Sequence, residues 1–117
     1  MRLIIAGGRE FNDYPLLKST LDNFLQNITD PITIISGTAR GADKLGERYA
    51  QEKGYECIKF PAMWEKYGKA SGYRRNVEMA EVATHCVVFW DYMSRGSKSM
   101  IDIAKRKGII LKVVKYK

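Results

Sequence analysis

The chain has 117 residues, 45% of them hydrophobic and 28% charged, with 20 Lys and Arg against 13 Asp and Glu. This is one domain of ordinary soluble composition, large enough for a core, and no apolar run approaches the length of a membrane span. A single histidine excludes a multi-histidine metal centre, and Cys57 and Cys86 show no metal-ligand spacing.

The elements alternate along the chain. Leu3-Ile4-Ile5-Ala6 is a short continuous apolar run, the pattern of a strand buried on both faces. Asp13-Tyr14-Pro15 can open a helix, with Asp as N-cap and Pro in the first turn, and Leu17, Leu21, Phe24, Leu25 and Ile28 then recur at helical spacing. Asp30-Pro31 breaks that helix, and residues 32–35 read as the second strand. A second helix runs from about Gly41 to Lys53 and stops at Gly54. Tyr55 to Phe60 alternates as a sheet edge does, and Pro61 to Lys69 reads as a loop. A third helix is predicted over 71–83, a strand over Cys86–Trp90, a loop over Asp91–Arg95, a fourth helix over Gly96–Lys107 and a last strand over Ile109–Val114.

Five strands alternating with four helices predict a three-layer α/β sandwich with a five-stranded parallel sheet in the order 3-2-1-4-5. Strands one and four then meet where the winding reverses, and ligands bind outside the carboxyl ends of strands at such a point. Three loops converge there: Gly7-Gly8-Arg9, Ser36 to Asp43, and Asp91 to Ser97. The same order separates Cys57 from Cys86 by three strand spacings, roughly 14 Å, too far for a disulfide. Unpaired thiols and the lack of a leader pattern give the cytoplasm as the expected compartment.

The chemistry expected at these loops is anion binding. A strand that ends in small residues and feeds a helix leaves amide N–H groups aimed at one place, where the helix dipole also favours negative charge. Ser36, Gly37, Arg40 and Gly41 form one such cradle, Gly7, Gly8 and Arg9 a second, and Ser94, Gly96 and Ser97 a third. Asp43, in the first turn of its helix, is assigned a structural role. Arg75 suits bidentate phosphate contact, and Asn76 can bridge loops or read a base edge. Asp91 stands at a strand's carboxyl end, where a ribose contact or a general base would be placed. Trp64 and Tyr67 suit either core anchoring or base stacking, whereas Trp90 reads as packing. No cofactor is implied. Residues 1–58 carry 7 basic against 8 acidic side chains and residues 59–117 carry 13 against 5. That asymmetry points to an anionic partner, although Lys105-Arg106-Lys107 by itself only complements a helix dipole.

Several segments together resemble a known family. Ser36-Gly37-x-Ala39-Arg40-Gly41-x-Asp43, Gly72-Tyr73-x-Arg75-Asn76-x-x-Met79-Ala80, Phe89-Trp90-Asp91, Ser94-Arg95-Gly96-Ser97-Lys98 and Met100-Ile101 resemble the SLOG superfamily. Within it the chain is similar to the small YspA-type group related to YpsA, a domain of unknown function. The segments Gly7-Gly8-Arg9-x-Phe11-x-Asp13-Tyr14 and Pro61-Ala62-x-Trp64-x-x-Tyr67-Gly68 fit that group as well. The resemblance implies a Rossmann-like fold and a pocket for a nucleotide or nucleotide derivative. It also leaves a homodimer open, since related SLOG domains often pair.

Two relatives imply different activities. In the DNA-processing protein DprA, stretches similar to Ser36–Asp43, Arg75-Asn76 and Gly96-Ser97 bind single-stranded DNA. In the LOG-type phosphoribohydrolases, an Arg on the third helix and a Glu after a Gly-Thr turn cleave a glycosidic bond. Arg75 matches that arginine, but Met100 stands where the glutamate belongs. A thioether can neither exchange a proton nor stabilise an oxocarbenium-like cation. Asp91 is then the carboxylate offered for catalysis, beside Arg75. The expected function is a sensor or sequestering protein for a nucleotide-derived ligand. The alternatives are single-stranded nucleic-acid binding and a nucleoside-phosphate or NAD-type glycosidic hydrolase.

Overall fold

The computed structural model describes residues 1–116. The strands are β1 (Arg2–Gly7), β2 (Thr33–Ser36), β3 (Glu56–Lys59), β4 (His85–Trp90) and β5 (Ile110–Lys115). They form one sheet in the order β3-β2-β1-β4-β5, with every neighbouring pair parallel, as the alternation of elements predicted. Leu3 pairs with Ile34 on one side and with His85 on the other, so β1 is central.

Successive side chains of a strand point to opposite faces, and here each face meets its own helices. Leu3 and Ile5 pack with Leu17, Leu21, Tyr49 and Phe89 in the layer of α1 (Tyr14–Phe24) and α2 (Ala42–Lys53). Ile4 and Ala6 pack with Met79, Met100, Ile101 and Ala104 in the layer of α4 (Ser71–Val82) and α5 (Arg95–Lys107). A continuous apolar run on β1 is what a sheet covered on both sides requires. Each fully buried aliphatic side chain contributes about 1.5–3 kcal/mol.

The helix ends follow local chemistry. Asp13 caps α1 by accepting from the Leu16 N–H at 3.0 Å, with Pro15 in the first turn. That helix stops at Phe24, one turn before the predicted Ile28, because the Gln26 and Ile28 N–H groups reach back only three residues, to the Asn23 and Leu25 carbonyls. Gly54 and Gly108 close α2 and α5 in left-handed backbone. The predicted loop over Pro61–Lys69 contains a one-turn helix, α3 (Trp64–Tyr67), and a 3-10 turn over Gly68–Ala70. The Met63 carbonyl organises this segment, accepting from the Lys66 and Tyr67 N–H groups and from the Ser71 hydroxyl.

Cys57 lies on β3 and Cys86 on β4, and both are free thiols; burial pushes Cys86 up to about 12. Among the described residues no helix is long and apolar enough to cross a membrane.

Candidate functional site

The first two glycine turns touch. Gly7 ends β1, and a Cβ there would fall 2.3 Å from the Phe89 carbonyl of β4. The Gly8 N–H donates to that carbonyl at 3.0 Å, while the Gly8 carbonyl accepts from both Phe11 and Ala42 N–H at 3.2 Å. Gly41 has φ +80°, and a Cβ on it would meet the Gly8 oxygen at 2.3 Å. Only glycine allows two backbones to approach this closely, so the β1–α1 turn and the start of α2 form one unit.

That unit keeps several of its donors for itself. The Ala42 N–H goes to Gly8, the Thr38 N–H to Ser36 Oγ at 3.1 Å, and the Ala39 N–H to Asp43 Oδ2 at 3.1 Å. Ser36 is buried and donates to Glu47 Oε2 at 2.7 Å. The Asp43 carboxylate therefore occupies the place at the α2 N-terminus where the sequence suggests an external phosphate. Thr38, with φ +66°, sits in left-handed backbone that a β-branched residue rarely adopts.

Arginines face the opening instead. Arg75, on α4, is half-buried and donates to the Gly37 carbonyl and, through Nε, to Asn76 Oδ1 at 2.9 Å. A Cβ on Gly37 would meet Arg75 Nη1 and Asp43 Oδ2, each at 2.8 Å, so this glycine keeps the space between cation and anion. Burial holds the Arg75 pKa below its ordinary value, with Arg9 adding to the fall and Asp43 opposing it. Burial also raises Asp43 from 3.8 to about 6. The Ala39 amide, Arg75 and Arg9 oppose the rise, and Glu47 adds to it. Arg40 pairs with Glu10 at 2.6 Å, but both side chains are more than 70% exposed, so water weakens the pair.

Two cavities adjoin this cluster. The first, about 300 Å³, is a cleft lined by the Gly7–Glu10 turn, Asp43, Asn76, Asp91 and the first turn of α5. The second, about 540 Å³, opens over Gly37–Arg40, Pro61, Ala62 and Trp64. Arg9, Ala39, Arg40 and Arg75 belong to both, so a cationic wall separates the two spaces. On the α5 side, Asp91 Oδ1 accepts from the Met93 and Ser94 N–H groups at 2.8 and 2.9 Å, and Ser94 caps α5. The Ser97 hydroxyl donates to Ser94 Oγ at 3.1 Å. Trp90 Nε1 bonds the Ser94 carbonyl at 3.0 Å, which anchors the loop.

Of the residues singled out from sequence, Gly7, Gly8, Asn76, Asp91, Ser94, Gly96 and Ser97 line the first cavity. Gly37 and Trp64 line the second, and Arg9, Arg40 and Arg75 line both. Ser36 and Gly41 line neither; they hold the loop. Tyr67 also stands apart, with the Arg74 guanidinium 4.0 Å over its ring, while Trp64 is 54% exposed and open to stacking. Glu10, Met79 and Tyr116, which the sequence did not single out for the site, also line the first cavity, as do Asp43, assigned a structural role, and Met100, which stands at the glutamate position. Among the described residues no group of three or more His, Cys, Asp or Glu side chains is placed to hold a metal ion.

Comparison with known proteins agrees with this frame. The model of the YspA, cpYpsA-related SLOG family matches residues 1–67. The chain is similar to the Gene 61 protein of Mycobacterium phage D29, 30% identical over 114 residues that cover 92% of this chain and 91% of the phage protein. No solved structure matches it. The family model spans both touching glycine turns, and the phage relative extends the likeness across the α4 and α5 walls of the cavity: the chain belongs to the YspA, cpYpsA-related SLOG family.

Proposed function

We propose that the protein binds a nucleotide or nucleotide-derived ligand at the sheet's switch point and acts by sensing or sequestering it. The observation that carries this reading is the wall of Arg9, Arg40 and Arg75 shared by two adjoining cavities. Phosphate placed on that wall meets guanidinium donors, and on the α5 side it meets a dipole end lined by Gly96 and Ser97. A base extending the other way reaches Trp64, where stacking contributes about 1–3 kcal/mol. Asp43 already fills the anion position at α2, so α5 is the better phosphate seat.

Binding without turnover fits the chemistry of the walls. Met100 is buried in the first cavity at the position of the hydrolases' glutamate, and Asp91 spends Oδ1 on two loop amides. The nucleic-acid alternative is less well supported, since Lys105, Arg106 and Lys107 occupy the end of α5 remote from the cavity. The free thiols suit a reducing cytoplasm.

The test is a thermal-shift and calorimetry panel of AMP, ADP, NAD, ADP-ribose, cyclic AMP and oligo-dT. Ligand at 100 times its Kd adds about 2.7 kcal/mol of stability. One mononucleotide or dinucleotide class should shift the wild type, and Arg75→Ala should abolish the shift while its circular dichroism stays native. Equal affinity in Arg75→Ala would remove the arginine wall from the site. A shift with oligo-dT alone, lost in added salt, would establish the nucleic-acid reading instead.

A further inference from the structure

Tyr116 follows the last residue of β5, and its N–H continues the β4–β5 ladder by donating to the Trp90 carbonyl at 3.1 Å. That bond carries the side chain to the carboxyl edge of the sheet, where it lines the first cavity. The ring is fixed by an edge contact with Phe11, centroids 4.7 Å apart. Its hydroxyl lies against the Gly8 backbone, so close that a Cβ on Gly8 would come within 2.0 Å of it.

This hydroxyl is buried and has no hydrogen-bond partner among the described residues. Ser99 Oγ shares that condition, but it lines a shallow recess beside Tyr73 and Arg106, outside the cavity. A buried polar group left unbonded costs about 1–3 kcal/mol, and folds rarely keep one without a use. Burial, together with Asp91 and Glu10, holds the phenol pKa above its ordinary value, so at neutral pH the group is a donor. The same cavity sets Arg9, Arg40, Arg75 and the first turn of α5 against the carboxylates of Glu10, Asp43 and Asp91, so an oxygen-rich anion has donors on the arginine and α5 sides.

We propose that Tyr116 is a ligand-positioning residue whose hydroxyl donates a hydrogen bond to a phosphate oxygen held between the Gly8 turn and the α5 N-terminus. The proposal rests on the nucleotide reading above and adds to it the donor that fixes the phosphate. It also gives Gly8 a second purpose, since any larger residue would displace the hydroxyl from the wall.

Tyr116→Phe keeps the ring and its contact with Phe11 and removes only the oxygen. Calorimetric titration of both chains with ADP, and separately with pyrophosphate, reads affinity; thermal unfolding without ligand reads stability. The expected result is a 5- to 30-fold weaker Kd for both probes, with ligand-free stability unchanged or raised. Equal affinity in the two chains would overturn the role of Tyr116 and leave the pocket standing. A loss of ligand-free stability in Tyr116→Phe would also overturn it, because the hydroxyl would then have a structural partner in solution. A wild type that binds neither probe would take down the nucleotide phosphate and this donor together.

Discussion

Asp43 offers the most quantitative test of the site's electrostatics. Its side chain is 6% exposed, and its pKa is raised from 3.8 to about 6 by burial, net of the attraction of the Ala39 amide, Arg75 and Arg9. In the unfolded chain the carboxyl returns to its ordinary value. Between pH 3.8 and 6 the native state therefore holds a proton that the unfolded state has released, and stability falls as pH rises through this window. A difference of about two units at 1.36 kcal/mol each amounts to about 3 kcal/mol. The contribution is fully present below pH 3.8 and lost above pH 6. Asp43→Asn keeps an acceptor for the Ala39 N–H and removes the titration. Urea unfolding of both chains, followed by circular dichroism at pH 4.0, 5.0, 6.0 and 7.5, measures the effect. Wild-type stability minus that of the variant should fall by about 2.4 kcal/mol from pH 4.0 to 7.5, a melting shift of roughly 10 °C. Asp22, Glu52, Asp102 and His85 also have shifted pKa values, but they titrate alike in both chains and cancel in the difference. A difference that stays flat from pH 4.0 to 7.5 would refute the reasoning. A difference that grows with pH would mean that Arg75 outweighs burial.

Two further outcomes concern the rim. Thr38→Asn relieves a β-branched residue at φ +66° and should raise stability by about 0.5–1 kcal/mol; an unchanged or lower melting temperature would show the turn to be unstrained. Glu10→Gln frees Arg40 at the mouth of the first cavity, so ADP affinity should rise about two- to five-fold at low salt and the gain should vanish near 0.5 M, a comparison calorimetry can make. Stability of that variant should change by less than about 0.5 kcal/mol, because the Glu10–Arg40 pair is exposed.

Periodicity and punctuation made most of the fold legible. The unbroken run on β1, the Asp13 cap, and the glycines after α2 and α5 each state a local preference that the tertiary structure keeps. The α3 turn escaped notice because four residues around Trp64 are too few to show a period, and a single carbonyl, that of Met63, holds them. At the site, the sequence located the loops but not the destination of each amide. Ser36 and Gly41 have the composition of an anion cradle, yet Glu47, Gly8 and Arg9 occupy their surroundings. Asp43 looked like an ordinary first-turn acid because proximity to Arg75, 32 positions away, is not written in local spacing. Tyr116 was hidden for a related reason. Only the β4–β5 register, with Trp90 opposite Lys115, shows that the next residue reaches the carboxyl edge.

The placement of β1 has a consequence for synthesis. The strand made first is central, and one of its edges waits for β4, whose His85 pairs with Leu3 only after about 80 more residues have been added. At roughly 5–20 residues per second, that edge, with its N–H and C=O groups unpaired, stands open on the ribosome for about 4–16 seconds. Over that interval the nascent chain presents a template for strand addition by its neighbours. No ligand can shorten the exposure, because the first cavity draws its walls from Ala6 through Tyr116 and does not exist until β5 has arrived. Until β4 pairs with it, β1 is the part of the nascent sheet most open to pairing with another chain.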